Sequence, residues 1–181
     1  MSYKILDIGS NTGTSGVEFF LHDINDYTIT RTDINELAKP DVVWDITQPS
    51  PQELVEQFDV ALCIHVIEHI SFHKTFDALR NIIQPLKLYG ALIIAFPSME
   101  WAMQEVLHDR MDYRVQLQIF GMETDEYQYH KAGFTMQTMR FMINSLGNVL
   151  VKSSYQTPFH IKYDTLDFES MQDVLVCERI K

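Results

Sequence analysis

The chain has 181 residues, 46% of them apolar and 22% charged, and its 14 Lys and Arg against 25 Asp and Glu give a formal net charge of −11. A chain of this length buries roughly 70% of the surface of its unfolded form, so a single domain over residues 1–181 has a sufficient core without disulfides or metal ions. Phosphate binding needs several clustered basic side chains, which this acidic chain lacks, so we expect no nucleic-acid partner.

The apolar stretches are short. Those around Val60–Val66 and Leu88–Phe96 fall well below the roughly 18 residues that span a bilayer, so we expect no membrane association. The first residues lack the apolar region and cleavage site of a secretory signal. Cys63 and Cys177 lie in apolar runs without a CxxC partner, which predicts reduced core thiols and a cytoplasmic location.

Apolar runs rich in β-branched residues alternate with helix-length segments over the first hundred residues. This alternation is typical of βαβ units around a parallel sheet. The near-continuous apolar run of the fourth predicted strand indicates burial on both faces, in the middle of that sheet. The elements predicted here are strands at Tyr3–Ile8, Tyr27–Thr32, Val42–Trp44, Phe58–Ile64 and Ala91–Phe96, and helices from Val17, over Pro49–Gln57 and over Phe72–Leu86.

The pattern of residue types changes in the second half of the chain. Aromatic and Met residues alternate with acids between Met99 and Gly133, which predicts a lid or substrate-binding insertion over residues 98–133. A helix over Thr135–Leu146 follows. Two strands, Val149–Gln156 and Asp173–Arg179, are predicted to close the chain, joined by a connection that contains Pro158.

A glycine-rich turn, residues 9–16, links the first strand to the first helix, at the position where open parallel sheets bind ligands. A dinucleotide-binding turn has the pattern Gly-x-Gly-x-x-Gly, but Asn11 occupies the second glycine position. A phosphate-binding P-loop needs a lysine, and this turn has none. The remaining candidate is a ligand with ribose and adenine but no pyrophosphate.

Two longer segments of the sequence resemble motifs of a known protein family. Residues 5–13, Ile-Leu-Asp-Ile-Gly-Ser-Asn-Thr-Gly, form an apolar strand followed by Asp-x-Gly-x-Asn-x-Gly, and Phe58–Ile70 is an aromatic-Asp-apolar run that ends in Ile-Glu-His. Both segments resemble motifs of the class I S-adenosylmethionine-dependent methyltransferases, apart from Asn11 at the middle glycine. The resemblance implies an α/β, three-layer Rossmann-like methyltransferase fold, with a mostly parallel seven-stranded sheet and Asp173–Arg179 as its antiparallel last strand.

The same resemblance implies S-adenosyl-L-methionine as cofactor and S-adenosyl-L-homocysteine as product. It assigns Asp33 to the ribose hydroxyls, which donate to a carboxylate, and Asp45 to the adenine amino group. A lone Asp at a strand end is also a common cap or turn residue, and it is the joint spacing of the two that favours the cofactor. The implied cofactor-binding residues are Asp7, Gly9, Asn11, Gly13, Asp33, Ile34, Asp45, Ile46, Ile64 and His65.

Methyl transfer from a sulfonium is an in-line displacement that requires an aligned and partly deprotonated acceptor. Histidine is the usual general base near neutral pH. The catalytic candidates are His65, His69 and His130. His65 directly follows the fourth strand, beside the expected methionine part of the cofactor, and His130 belongs to a His-x-x-Gly-Phe segment that resembles one in family members acting on saccharides and related metabolites.

The segment His65-x-x-Glu68-His69 also matches the inverted zinc metallopeptidases. Those enzymes need both histidines on one helical face, whereas the preceding buried strand places this segment at a sheet edge. Some methyltransferases with a similar Glu-x-x-Glu-His sequence bind Mg²⁺ or another divalent ion, and here His65 replaces the first Glu while His130 is a further candidate ligand. From the sequence alone we favour local hydrogen bonding of Glu68 and His69 at a helix start, without a metal.

The leading hypothesis is a methyltransferase for a small-molecule or saccharide-like acceptor. A second hypothesis is a catalytically weak methyltransferase-fold protein that acts as a binding or regulatory subunit and needs a partner. A nicotinamide-dependent dehydrogenase is disfavoured by Asn11. Because the first strand begins almost at Met1, we expect no N-terminal helical extension over the site, which leaves a homodimer or a partner subunit as a way of completing it.

Overall fold

The structure, a computed structural model, describes residues 2–11, 15–122, 127–163 and 166–181. Short 3₁₀ turns occur at Glu36–Ala38 and Ile67–His69. The strands and helices in chain order are β1 (Tyr3–Ile8), α1 (Ser15–Phe20), β2 (Tyr27–Asp33), β3 (Val42–Val43), β4 (Phe58–Ile64), α2 (Phe72–Ile83), β5 (Leu86–Pro97), α3 (Met99–Leu107), α4 (Tyr113–Phe120), α5 (Met136–Ser145), β6 (Val149–Tyr163) and β7 (Leu166–Arg179).

All these strands belong to one seven-stranded sheet in the order β3-β2-β1-β4-β5-β7-β6. The first five strands of this order, β3, β2, β1, β4 and β5, pair in parallel. Strand β7 runs antiparallel to both β5 and β6. This confirms the predicted mostly parallel sheet with an antiparallel last strand. The order reverses beside β1, since β2 lies on one side and β4 on the other, and such a reversal opens a crevice at the carboxyl ends of the strands.

Helices cover both faces of the sheet, which gives the predicted three layers. Successive side chains of a strand point to opposite faces. Leu6 of β1 therefore packs in one apolar cluster with residues of α2 and α5, while Ile5 packs in a second cluster with Val17 of α1. The central residues of β4 are fully buried, as its continuous apolar sequence predicts.

Three predictions about secondary structure are wrong. Strand β5 begins at Leu86, which was predicted as the end of a helix, rather than at Ala91. Residues 49–57 contain turns rather than a helix, because the amide of Glu56 donates to the distant carbonyl of Gln84, and the amide of Gln57 is shared between the carbonyls of Leu54 and Pro85. The last two strands are also longer than predicted, since β6 continues through Pro158. As β6 is an edge strand, the missing amide hydrogen of proline is tolerated there.

The predicted insertion over residues 98–133 contains α3 and α4, which pack against each other, while α4 also contacts β7. No helix among the described residues is both long and apolar enough to cross a membrane. Cys63 and Cys177 are buried and unpaired, as predicted, and burial raises the pKa of both thiols, that of Cys177 to about 12.

Candidate functional site

A cavity of about 460 Å³ lies at the carboxyl ends of β1, β2 and β4, in the crevice where the strand order reverses. It is walled by side chains from the turns that follow these strands and by part of the segment after α4. The described lining residues are Asp7, Gly9, Ser10, Asn11, Gly16, Asp33, Ile34, Asn35, Trp44, Asp45, Ile46, Ile64, His65, Val66, His69, Ile70, Tyr127, Gln128 and Lys131.

The turn after β1 has the tight geometry that its glycine requires. Gly9 has φ +65°, and a Cβ atom there would lie 2.4 Å from Cγ2 of Val66. Asn11 also has positive φ, 49°, a region that asparagine tolerates better than most residues. This explains how Asn11 can stand where the methyltransferase motif has its middle glycine.

Asp33 at the end of β2 holds the turn in place. Its Oδ2 accepts a hydrogen bond from the backbone amide of Asn11 at 2.9 Å, and its Oδ1 accepts one from the amide of Asn35 at 2.8 Å. An ionised carboxylate has about four acceptor positions, so two remain for a ligand. Asp33 therefore suits the predicted contact with a ribose diol.

Asp45 lies between two apolar residues of the cavity lining. Trp44 and Ile46 flank this residue and are almost fully buried. Oδ1 of Asp45 accepts from the amide of Thr47 at 2.9 Å, and Nδ2 of Asn81 on α2 donates to the carbonyl of Ile46 at 3.0 Å. Helix α2 thus holds the turn that places the carboxylate of Asp45 between two apolar residues of the cavity lining.

Nine of the ten implied cofactor-binding residues line this cavity, and Gly13 lies outside the described residues. Their roles in binding remain predictions. Sequence reasoning missed other lining residues, among them Asn35, Trp44, Gln128 and Lys131. Asn35 and Trp44 adjoin assigned aspartates and could have been found by that proximity, whereas Gln128 and Lys131 lie far along the chain and had no local signal.

The charges of the described lining are mostly negative: three carboxylates, Asp7, Asp33 and Asp45, face one ammonium group, that of Lys131. Burial raises the pKa of Asp7 to about 6, Arg31 opposes this increase, and the nearby charge of Asp33 adds to it. A pyrophosphate would meet repulsion on such a wall, while a cationic ligand would be attracted. The donor set therefore fits S-adenosylmethionine better than a dinucleotide.

A second cavity, of about 170 Å³, adjoins the first, and both are lined by His65, His69 and Gln128. The remaining walls are mainly apolar. His65 has φ 54°, and its ring lies 4.4 Å from that of Phe159 on β6, centroid to centroid. Nε2 of His65 lies 3.0 Å from Oε1 of Gln172 on β7, so the hairpin of β6 and β7 fixes this imidazole.

The three predicted catalytic histidines converge on Glu68. Ligating atoms of Glu68, His69 and His130 all lie within 4.8 Å of one another, and Nδ1 of His65 lies 3.3 Å from Oε1 of Glu68. Burial alone would raise the pKa of Glu68, but the histidines around it outweigh burial and lower that pKa, and burial lowers the pKa of His130. Local bonding, the interpretation favoured from the sequence, describes only the contact of Glu68 with His65, because His69 bonds to the carbonyl of the distant Tyr129.

Comparison with solved structures defines the class: the chain has the fold of the class I S-adenosylmethionine-dependent methyltransferases. It is similar to a methyltransferase of this kind from Methanosarcina mazei, with 16% identity, coverage of 99% of this chain and 93% of that chain, and a TM-score of 0.66. It is also similar to the 1,6-didemethyltoxoflavin N1-methyltransferase of Burkholderia thailandensis, solved with that compound and S-adenosylhomocysteine, with 14% identity, coverage of 99% and 72%, and a TM-score of 0.61.

A third similar structure is a methyltransferase from Archaeoglobus fulgidus, with 15% identity, coverage of 98% of this chain and 86% of that chain, and a TM-score of 0.60. No protein-family model and no curated protein matches the chain. At identities this low, the structural similarity establishes the fold alone.

Proposed function

We propose that this protein is an S-adenosylmethionine-dependent methyltransferase that acts on a small-molecule or saccharide-like acceptor. One observation carries the proposal: a cavity walled by Asp33 and Asp45 adjoins a smaller cavity walled by histidines, and His65 and His69 belong to both. A transferase needs this arrangement, because the cofactor and the acceptor must meet at a shared boundary with their reacting atoms aligned.

The larger cavity has the features needed to bind the cofactor. When bound, S-adenosylmethionine supplies a methyl group whose bond to the acceptor forms as its carbon–sulfur bond breaks, the electron pair remaining on sulfur. Asp33 would bind the ribose hydroxyls, and Asp45 would bind the adenine amino group beside Ile46. The excess of carboxylates would favour the positively charged form of the cofactor.

The smaller cavity is proposed to hold the acceptor. Its volume of about 170 Å³ suits one small ring or sugar unit rather than a macromolecule. The ring of Phe159 and the side chain of Ile161 would exclude water and pack on an apolar face, while the imidazoles of His65 and His130 offer polar atoms to hydroxyl or amino groups. The acceptor would lose its proton to one of the imidazoles that line this cavity, those of His65, His69 and His130.

Calorimetric titration of the full chain tests cofactor binding. We expect micromolar affinity for S-adenosylhomocysteine and no measurable binding of NADH, because the three carboxylates among the described lining residues would repel a pyrophosphate. Binding of NADH alone would contradict the proposal. Binding of S-adenosylhomocysteine without methylation of any acceptor in a panel of sugars and small metabolites would instead favour the binding-subunit hypothesis.

The substitution Asp33→Ala tests the ribose contact. Hydrogen bonds to a charged group contribute roughly 1–3 kcal/mol, so we expect the Kd for S-adenosylhomocysteine to rise about 5- to 150-fold. Asp26→Ala, which removes an exposed carboxylate outside the cavity, is the matched control and should leave the Kd unchanged. An Asp33→Ala variant that folds and binds with the original affinity would refute the assignment.

A further inference from the structure

Glu68 carries two buried carboxylate oxygens, one of which, Oε1, lies 3.3 Å from Nδ1 of His65. The residue is 2% exposed, and among the described residues neither Oε1 nor Oε2 is paired with suitable geometry. Buried polar atoms are nearly always hydrogen-bonded, so a buried carboxylate without a well-placed donor suits a site that binds a cation. Glu68 lines the smaller cavity together with His69 and His130.

Two imidazoles next to Glu68 have their tautomers fixed by backbone carbonyls. Nδ1 of His69 lies 3.0 Å from the carbonyl oxygen of Tyr129, and Nδ1 of His130 lies 3.1 Å from that of Gln118. A carbonyl oxygen only accepts, so each Nδ1 must carry the proton. In the neutral ring Nε2 then has a free lone pair, and this hydrogen bond from the other nitrogen to a carbonyl is the usual support of a metal-binding histidine.

The backbone joins the two segments that carry these side chains. The amides of Lys131 and Ala132 both donate to the carbonyl of Glu68, at 2.8 and 3.1 Å, and the amide of His130 donates to the carbonyl of Phe120. The three side chains are therefore positioned by main-chain hydrogen bonds and not only by their mutual contacts. Such support is what a preorganised ligand set requires.

We propose that Glu68, His69 and His130 form a binding site for one divalent transition-metal ion, with Zn²⁺ as the ion that best suits the donors. Two imidazoles and one carboxylate are a donor set of catalytic zinc sites, which keep a further position open, whereas Mg²⁺ and Ca²⁺ prefer oxygen donors only. Ligands about 2.0–2.1 Å from zinc lie about 3.4 Å apart, so donor atoms within 4.8 Å need only small side-chain movements.

The role of the ion rests on the proposed function, although its binding does not. The site borders the smaller cavity, so an acceptor oxygen could take the open position and lose its proton to solvent more readily. His69 and His130 would then act as ligands rather than as the general bases predicted from the sequence, and His65 would remain the imidazole next to the acceptor.

Metal binding is tested on the full chain after dialysis against EDTA, by calorimetry with Zn²⁺, Mn²⁺ and Mg²⁺ and by visible absorption with Co²⁺. We expect one Zn²⁺ per chain, with an affinity at least about 100-fold above that for Mg²⁺. Glu68→Gln and His130→Ala should each weaken Zn²⁺ binding more than 10-fold and abolish the Co²⁺ spectrum. His73→Ala, which removes an exposed histidine on α2, is the matched control and should bind normally.

A melting experiment covers the case in which a variant loses stability. Zn²⁺ should raise the Tm of the original chain but not that of Glu68→Gln, which has nearly the same shape without the charge. The proposal is overturned if the original chain does not bind Zn²⁺, or if Glu68→Gln and His130→Ala both bind it as tightly as the original. S-adenosylhomocysteine is titrated in parallel with the original chain. Binding of Zn²⁺ without binding of S-adenosylhomocysteine would refute the proposed function but not the metal site. Binding of S-adenosylhomocysteine without binding of Zn²⁺ would refute the metal site but not the proposed function.

Discussion

Asp7 combines burial with a place on the wall of the larger cavity. Its pKa of about 6 results mainly from the loss of solvent around the carboxylate, with Arg31 lowering and Asp33 raising it. An unfolded chain exposes the same group, whose ordinary value is 3.8. The folded protein therefore holds this proton more tightly than the unfolded chain does, and stability becomes linked to pH.

The substitution Asp7→Asn tests this linkage. A raised pKa gives a stabilising contribution that is complete below about pH 4 and is lost as the pH rises through about 6. We therefore expect Asp7→Asn to gain stability over the original chain between pH 4 and pH 8, by about 2–3 kcal/mol for a shift of about two units. Urea unfolding across this range gives the measurement, with Asp26→Asn as the exposed control, and a difference independent of pH would contradict the argument.

At the scale of elements, the turn after β1 packs tightly against the residues that follow β4. The side chain of Val66 occupies the space beside Gly9, and the amides of Gly9 and Ser10 both donate to the carbonyl of Thr32 at the end of β2. The loops at the ends of β1, β2 and β4 are thus held together before any ligand binds. This arrangement preorganises the floor of the larger cavity.

Replacing Gly9 by Ala should disturb this packing. Gly147→Ala is a matched comparison, because Gly147 also has positive φ, +74°, but no atom lies within 4 Å of the added Cβ. We expect Gly147→Ala to cost about 1 kcal/mol from backbone strain alone, and Gly9→Ala to cost roughly 1–3 kcal/mol more and to weaken S-adenosylhomocysteine binding. Chemical denaturation and calorimetry measure both effects, and equal losses in the two variants would show that the contact with Val66 is unimportant.

At the scale of the whole molecule, the sheet order brings together turns that are distant along the chain. The larger cavity takes residues from positions 7–11, 33–35, 44–46, 64–70 and 127–131. A ligand that contacts all these segments binds only the folded chain. Its binding free energy therefore adds to the free energy of unfolding.

S-adenosylhomocysteine should accordingly raise the melting temperature. At a ligand concentration of about 100 times Kd the stabilisation is about 2.7 kcal/mol. For a chain of this size that corresponds to a rise in Tm of roughly 5–10 °C. Differential scanning calorimetry measures the shift, the same concentration of NADH is the control, and an unchanged Tm with S-adenosylhomocysteine would contradict the proposed site.

Much of the fold was determined by local sequence. The unbroken apolar run of β4 can be accommodated only where both faces are covered, so its central burial followed from the residues themselves. The turn at Gly9 and the aspartates at the ends of β2 and β3 could also be predicted from the sequence, because their spacing depends on neighbours in the chain. Local propensity was insufficient at residues 49–57, where hydrogen bonds to Gln84 and Pro85 prevail over the helical pattern.

The meeting of side chains from distant segments was decided by the tertiary structure alone. The sequence offered Glu68, His69 and His130 as possible ligands of one ion but favoured local hydrogen bonding without a metal. Only the contact of the 3₁₀ turn with residues 130–132 sets their donor atoms within 4.8 Å. The stacking of His65 on Phe159 likewise depends on the length of the β6–β7 hairpin. Sequence spacing fixes what lies on one strand or turn, whereas contacts across many residues depend on how the complete sheet closes and packs.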